Sequence, residues 1–356
     1  MSHAHLQKRP STAVAGLLAL QSALLTVVFS GPPAHARSLP ADGPSTCHPV
    51  TIKVTVDKST GPIAGRLCQP AQPTSRIQLL VPGFTFGKEY WDFPYKPGQY
   101  SYTAAANASG WATLAIDRLG SGSSWHPKGS QVTFQNSASV IHQVVQALRH
   151  GQLGATYDHV ALAGHSVGAH ASVYEAGTYN DVDALIATGW SSVWNADHVK
   201  KRVADNLVTA TSDPKFKDTG YDADYVTSKA GTRNVYFVTS HADPAVMSMD
   251  EQLKQSSSQI ELSSGLTADV KAAAKKINVP VLLVDGDQDP FFCGEGAADC
   301  SSNAALAAFE KPYFGPRATV SAAVETGSGH ALQLQTGASR TTQDMLAFLG
   351  HTGTAR

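Results

Sequence analysis

A chain of 356 residues, 42% hydrophobic and 15% charged, is long enough to bury a large core and too apolar to be disordered. Its net charge of -1 lacks the basic excess that nucleic-acid binding leaves, so no nucleic-acid partner is expected. Length alone leaves one large domain or two ordinary ones open.

Taken in chain order, the first 36 residues read as a secretory signal peptide. Lys8 and Arg9 precede an apolar stretch from about Ala13 to Phe29, and Ala34-His35-Ala36 supplies an A-x-A cleavage site. Gln21 and Ser22 interrupt that stretch, which is short for a membrane span, so no membrane anchor is expected once it is removed. Cleavage after Ala36 yields an exported mature chain, 37–356. Export makes the 4 cysteines disulfide candidates. None lies in a C-x-x-C pair, so a structural zinc site of that kind is not expected. Three pairings are possible, and short separations favour Cys47–Cys68, stapling an N-terminal hairpin, and Cys293–Cys300.

Val50 to Val56 alternates apolar and polar residues as an edge strand does, and Ile63 to Leu67 can pair with it. The runs Arg76–Gly83, Ala112–Arg118, His159–Ser166, Asp183–Trp190 and Val279–Asp287 are instead continuously apolar, as parallel strands buried on both faces are. Between them, Val140, Ile141, Val144, Val145 and Leu148 recur at helical spacing, as do Met345, Leu346, Phe348 and Leu349 near the end. Strands alternating with helices predict an α/β fold with a mostly parallel central sheet flanked by helices. From 191 to 278 the chain turns polar, with one strand-like island at Asn234–Thr239. Lying between two core strands, this segment predicts a cap or lid insertion over the C-terminal edge of the sheet, because structureless loops of that length are uncommon.

The chemistry centres on Gly164-His165-Ser166-Val167-Gly168, a G-x-S-x-G pattern between an apolar run and a helix-like stretch ending near Gly177. Glycines there permit a tight strand-to-helix turn that lifts the serine hydroxyl clear of the sheet and aims the Val167 N–H at the same spot. Serine is a weak nucleophile and needs a base held by an acid. Downstream, Gly286-Asp287-Gln288-Asp289-Pro290 ends a strand, and a Gly-Ser-Gly turn leads to His330. The order is therefore Ser166, Asp289, His330, with Asp285 and Asp287 as rivals for the acid. His165 and His170 are too close to Ser166 in the elbow and its helix to turn back on it, and His241 falls in the insertion as a surface residue.

On these motifs, and on Asp117–Ser124, which matches a D-x-x-G-x-G-x-S loop, the chain from about Arg76 onward resembles the secreted serine esterases and lipases of the α/β-hydrolase superfamily. The resemblance implies Asp289 as the triad acid and hydrolysis of a small-molecule or lipid-like ester. It also implies an oxyanion hole at an early His-Gly-x turn, which here reads Pro82-Gly83-Phe84. A main-chain donor survives that change, so the Phe84 N–H joins that of Val167. The same triad can act on an amide, thioester or lactone, and a non-catalytic binding protein is the alternative from another class. Aromatics at Tyr90, Trp190 and Trp194 are candidates for the substrate pocket or for core packing. Asp285–Asp289 opens like a calcium loop but has Pro290 and Gly296 where glycine and glutamate belong, and Gly120-Ser121-Gly122 lacks the third glycine of a dinucleotide loop. No metal and no cofactor are implied. A Cys293–Cys300 bridge would brace the loop carrying Asp289.

Overall fold

The computed structural model describes residues 45–352; the expected signal peptide and its cleavage site lie outside the described residues. Strands β1 (Thr46–Val56) and β2 (Ser59–Gln69) form an antiparallel hairpin. Ile52, Val54 and Val56 are buried while Thr51, Lys53 and Thr55 face solvent, which is the period-two alternation read from the sequence. Cys47 sits opposite Cys68 in this register and the two are disulfide-bonded, as are Cys293 and Cys300.

The continuous apolar runs become the interior of the sheet: β3 (Arg76–Val81), β4 (Ala112–Ile116), β5 (His159–His165), β6 (Ala184–Thr188) and β7 (Val281–Gly286), with β8 (Val320–Glu325) at the far edge. The order across the eight strands is β1-β2-β4-β3-β5-β6-β7-β8. Pairing is antiparallel from β1 through β2 to β4 and parallel from there on. Strands β4, β5 and β6 are buried along nearly their whole length because helices cover both faces.

Helix α1 (Phe134–Arg149) starts at Thr133, whose hydroxyl accepts the Asn136 N–H at 3.1 Å, and buries the stripe Val140, Ile141, Val144, Val145, Leu148. Helix α2 (Val167–Tyr179) follows β5 directly, and α3 (Ala338–Thr352) buries Met345 and Leu349. No helix among the described residues is long and apolar enough to cross a membrane.

Between β6 and β7 the chain builds a small antiparallel sheet from Leu207–Thr209, Tyr225–Ser228 and Ser257–Ser258, with helices at Ala196–Arg202, Pro244–Leu253 and Gln259–Thr267. The island at Asn234–Thr239 is not a strand. Arg233–Tyr236 is a 3-10 turn, and Tyr236 and Phe237 are buried without any partner strand. Strand propensity reports fitness for a half-buried surface, and tertiary packing supplies that burial here in another backbone form.

The helix at Val270–Ala274 packs on α2 so closely that a Cβ at Gly177 would lie 2.1 Å from the Ala273 carbonyl oxygen. Gly177→Ala must push this pair of helices apart, which should cost roughly 1–3 kcal/mol, the usual penalty of overpacking. A urea midpoint equal to that of the wild type would reject this close packing.

Candidate active site

At the end of β5 the backbone turns through Ser166 at φ 56° and ψ -122°, a conformation that non-glycine residues rarely adopt. Its neighbours allow the turn by being small. A Cβ at Gly164 would meet the Ala169 Cα at 2.5 Å, and one at Gly168 would meet the Pro82 carbonyl oxygen at 2.3 Å. The Ser166 N–H donates to the Thr188 carbonyl at 2.9 Å, tying the elbow to β6.

Two loops beyond β7 and β8 bring the other predicted residues to this point. The Ser166 hydroxyl lies 2.8 Å from His330 Nε2, and His330 Nδ1 lies 2.7 Å from Asp289 Oδ2. With the Nδ1 hydrogen directed at the carboxylate, Nε2 is left to accept from the serine hydroxyl. The other Asp289 oxygen accepts the Phe291 N–H at 2.8 Å, so this buried carboxylate is held on both sides. Its rivals are placed elsewhere. Asp285 is buried within β7, where its carboxyl group meets the Trp190 main chain, and exposed Asp287 accepts the Gly327 N–H at 2.7 Å. The Cys293 N–H donates to the Asp289 carbonyl at 3.1 Å, which joins the small disulfide loop to the carboxylate-bearing turn.

The other histidines have different work. His165 is buried under the elbow, stacked on Tyr90 with ring centroids 4.1 Å apart, and its Nε2 donates to the His330 carbonyl at 3.1 Å. Burial, and then the neighbouring His330, holds its pKa far below the ordinary histidine value, so it acts as a neutral spacer under the His330 loop. His170 accepts the Trp190 Nε1–H at 2.9 Å and donates to the Gly265 carbonyl at 3.2 Å. His241 donates to the Gly327 carbonyl at 2.7 Å from the surface.

The Pro82-Gly83-Phe84 turn lies against the nucleophile: a Cβ at Gly83 would stand 3.1 Å from the Ser166 Cβ. No hydrogen bond among the described residues takes up the Phe84 amide, and the Val167 amide, at the first position of α2, has no acceptor within its own helix. The next residue, Thr85, has φ 60° and is gripped by the insertion on every polar atom. Its N–H donates to Ser257 Oγ at 3.1 Å, its carbonyl accepts the Gln255 N–H at 2.9 Å, and its hydroxyl accepts from Arg233 Nη1 at 2.9 Å. Arg233 is itself buried, forked onto Asp250 at 2.7 and 2.8 Å and laid over the Phe86 ring at 4.2 Å. A second buried pair, Arg118 with Glu261, also reaches this turn, Arg118 donating to the Gly83 carbonyl at 3.4 Å and to Ser257 Oγ at 3.2 Å. Arg118 belongs to the Asp117–Ser124 loop, in which Asp117 accepts from the Lys88 main chain, the Lys88 ammonium and the Ser123 N–H. The Asp117–Ser124 loop stood out in the sequence by its spacing, whereas Arg233 and Asp250 did not, since a buried arginine in a polar segment reads like a surface charge.

Ser166, Val167 and His330 open on a narrow apolar cavity of about 70 Å³. Phe84, Phe134, Trp190, Trp194, Leu266 and Phe292 line it, so both predicted tryptophans belong to the cavity on which Ser166 opens. Tyr90 does not: it lies beneath the elbow against His165, because the rest of its aromatic cluster, including Trp91, Phe93, Tyr100 and Tyr102, is buried core.

No curated protein matches the sequence. Among solved structures, a membrane phospholipase A superposes with a TM-score of 0.56 at 18% identity, covering 86% of this chain and 87% of that one. A lipase candidate from Acinetobacter baumannii AYE gives 0.58 at 16%, covering 86% and 93%. E-2-(acetamidomethylene)succinate hydrolase gives 0.51 at 19%, covering 85% and 100%. At such identities these likenesses speak for the fold alone. The model of the family described as "Alpha/beta hydrolase family" matches residues 78–339, more than half of the chain and including Ser166, Asp289 and His330. The chain belongs to the alpha/beta hydrolase family.

Proposed function

We propose that this hydrolase is a secreted serine esterase that works through a Ser166–His330–Asp289 triad and an acyl-enzyme. The observation that carries the reading is the continuous hydrogen-bonded chain from the Ser166 hydroxyl through His330 to a buried carboxylate, ending at an apolar cavity. In this mechanism His330 Nε2 takes the hydroxyl proton as Ser166 Oγ attacks the ester carbonyl carbon. Asp289 orients the imidazole and stabilises the imidazolium that forms. The carbonyl oxygen becomes an oxyanion between the Phe84 and Val167 N–H groups, each worth about 3–4 kcal/mol in sites of this type. His330 then gives its proton to the leaving alcohol, and the carbon–oxygen bond breaks. Water, deprotonated by the same nitrogen, attacks the acyl-enzyme; the acyl bond to Ser166 Oγ breaks, His330 returns the proton to that oxygen, and the acid leaves.

The cavity walls favour an uncharged acyl or alcohol group, and they support placing it against Trp190 and Trp194. The segment 191–278 would act as a cap, since Val199, Val203 and Leu266 from it line the cavity. Two disulfides are consistent with the export read from the N-terminal residues.

Ser166→Ala should abolish turnover across a panel of p-nitrophenyl esters of graded acyl length while the fold persists; turnover retained by the folded variant rejects the assignment. An amide, a thioester and a lactone in the same panel should react far more slowly than the best ester. Asp250→Asn weakens the grip of Arg233 on Thr85 and should lower kcat on the order of tenfold with KM little changed, because the Phe84 donor acts in the transition state. Equal kcat in a folded Asp250→Asn protein would show that the clamp is not needed.

The pocket also sets an acid limit. Burial pushes the His170 pKa from 6.5 down to about 4. Between those values the unfolded chain holds more protons than the folded one, so this contribution to stability is intact above pH 6.5 and lost as pH falls toward 4. His170→Gln should flatten the drop in urea midpoint between neutral and acidic pH; an unchanged drop would clear His170 of this role.

A further inference from the structure

Away from the elbow, one cluster of polar side chains has no role in the chemistry described above. Glu175, on α2, is fully buried; its carboxylate oxygens accept no N–H, and its carboxyl group meets that of Asp181. One Glu175 oxygen faces His142 Nδ1, on α1, at 3.8 Å. The same nitrogen lies 2.7 Å from Asp181 Oδ2 in the turn after α2, and the other Asp181 oxygen also accepts no N–H. One ligand atom from each of the three residues lies within 4.8 Å of the others. Two carboxyl groups thus converge on one imidazole in a low-dielectric interior, where either a proton shared between Glu175 and Asp181 or a cation in its place holds them together. Arg149 is near enough for its charge to act on Glu175, but its hydrogen bonds go to Asp183 Oδ2 at 2.7 Å and to the Asp181 and Asp158 carbonyls at 2.9 and 3.0 Å. Gln146 donates at 2.6 Å to the Asp181 oxygen that already meets His142.

We propose that His142, Glu175 and Asp181 form a structural zinc site that fastens α1 to the C-terminal end of α2. One imidazole nitrogen with two carboxylates suits zinc, which takes nitrogen and oxygen ligands in a tetrahedron, whereas calcium wants six to eight oxygens. Ligand atoms around such an ion stand roughly 3.3 Å apart, given bonds near 2 Å, so the 2.7 Å His142–Asp181 hydrogen bond would open and the 3.8 Å contact with Glu175 would close by about half an ångström as the ion enters. The His142 ring lies flat on Tyr179, centroids 3.8 Å apart and planes within 9°, which fixes the direction of Nδ1. His142 and Asp181 are partly exposed, so the ion has an entry path and water can take the fourth position. Sequence inspection missed the site because its ligands come from two helices and a turn, with no zinc-motif spacing. Glu175 lies roughly 13 Å along α2 from Ser166, at 1.5 Å per residue, so the ion would act on stability and not on the reacting atoms.

The test uses untagged mature protein stripped with EDTA, titrated with zinc by calorimetry and melted with and without zinc. The expected result is one equivalent bound and a Tm raised by several degrees. Glu175→Gln, which keeps the volume, and His142→Asn, at a partly exposed position, should each weaken that equivalent by at least about tenfold and remove the Tm response. Ester turnover by either variant should stay at the wild-type level. Absence of stoichiometric binding overturns the proposal and leaves a carboxyl pair sharing a proton. Zinc bound equally well by both variants also overturns it, by placing the ion on other histidines.

Discussion

The site depends on one unfavourable backbone conformation. Ser166 holds φ at 56° because β5 ends and α2 begins without an intervening loop, and because the glycines on either side let the chain pass within contact distance of Pro82 and Ala169. Strain of this kind persists only where the surroundings over-determine it. Here the surroundings are strands buried on both faces and a helix with Ala169, Ala171, Val173 and Ala176 in the core. The apolar runs of the sheet therefore do more than make a core: they hold the serine where a side chain on an ordinary turn would not stay.

The second constraint is the reach of the insertion onto the Pro82–Phe86 turn. Thr85 also has positive φ, and the groups that hold it come from Arg233, Gln255 and Ser257, far along the chain. Burying Arg233 with Asp250 is electrostatically demanding, since breaking such a pair leaves an uncompensated charge. Its placement against the turn beside the nucleophile gives that demand a use. The insertion thereby both lines the cavity and shapes the turn on the other side of Ser166, which couples cap and site through hydrogen bonds.

Much of this was legible in the sequence because it follows local rules. Alternation gave the β1–β2 hairpin, continuous apolar runs gave the parallel strands, and the order of Ser166, Asp289 and His330 placed three polar residues after β5, β7 and β8, whose ends the fold brings together. What escaped was set by tertiary contact. Asn234–Thr239 has the composition of a strand but forms turns that bury Tyr236 and Phe237, and Tyr90 sits in an aromatic cluster whose pocket-facing and core members look alike in sequence. The Arg233 clamp and the His142–Glu175–Asp181 cluster join residues with no common spacing, so no pattern in one sequence could join them.

The central claim is that Ser166, with the Phe84 and Val167 amides, forms one nucleophile-and-oxyanion unit. It is tested most directly by the crystal structure of the enzyme inactivated with an alkyl fluorophosphonate. The account predicts a single phosphonyl group on Ser166 Oγ, its phosphoryl oxygen accepting hydrogen bonds from both N–H groups and its alkyl chain lying against Trp190 and Trp194. An adduct on another residue, or one on Ser166 whose oxygen points away from both amides, would contradict it.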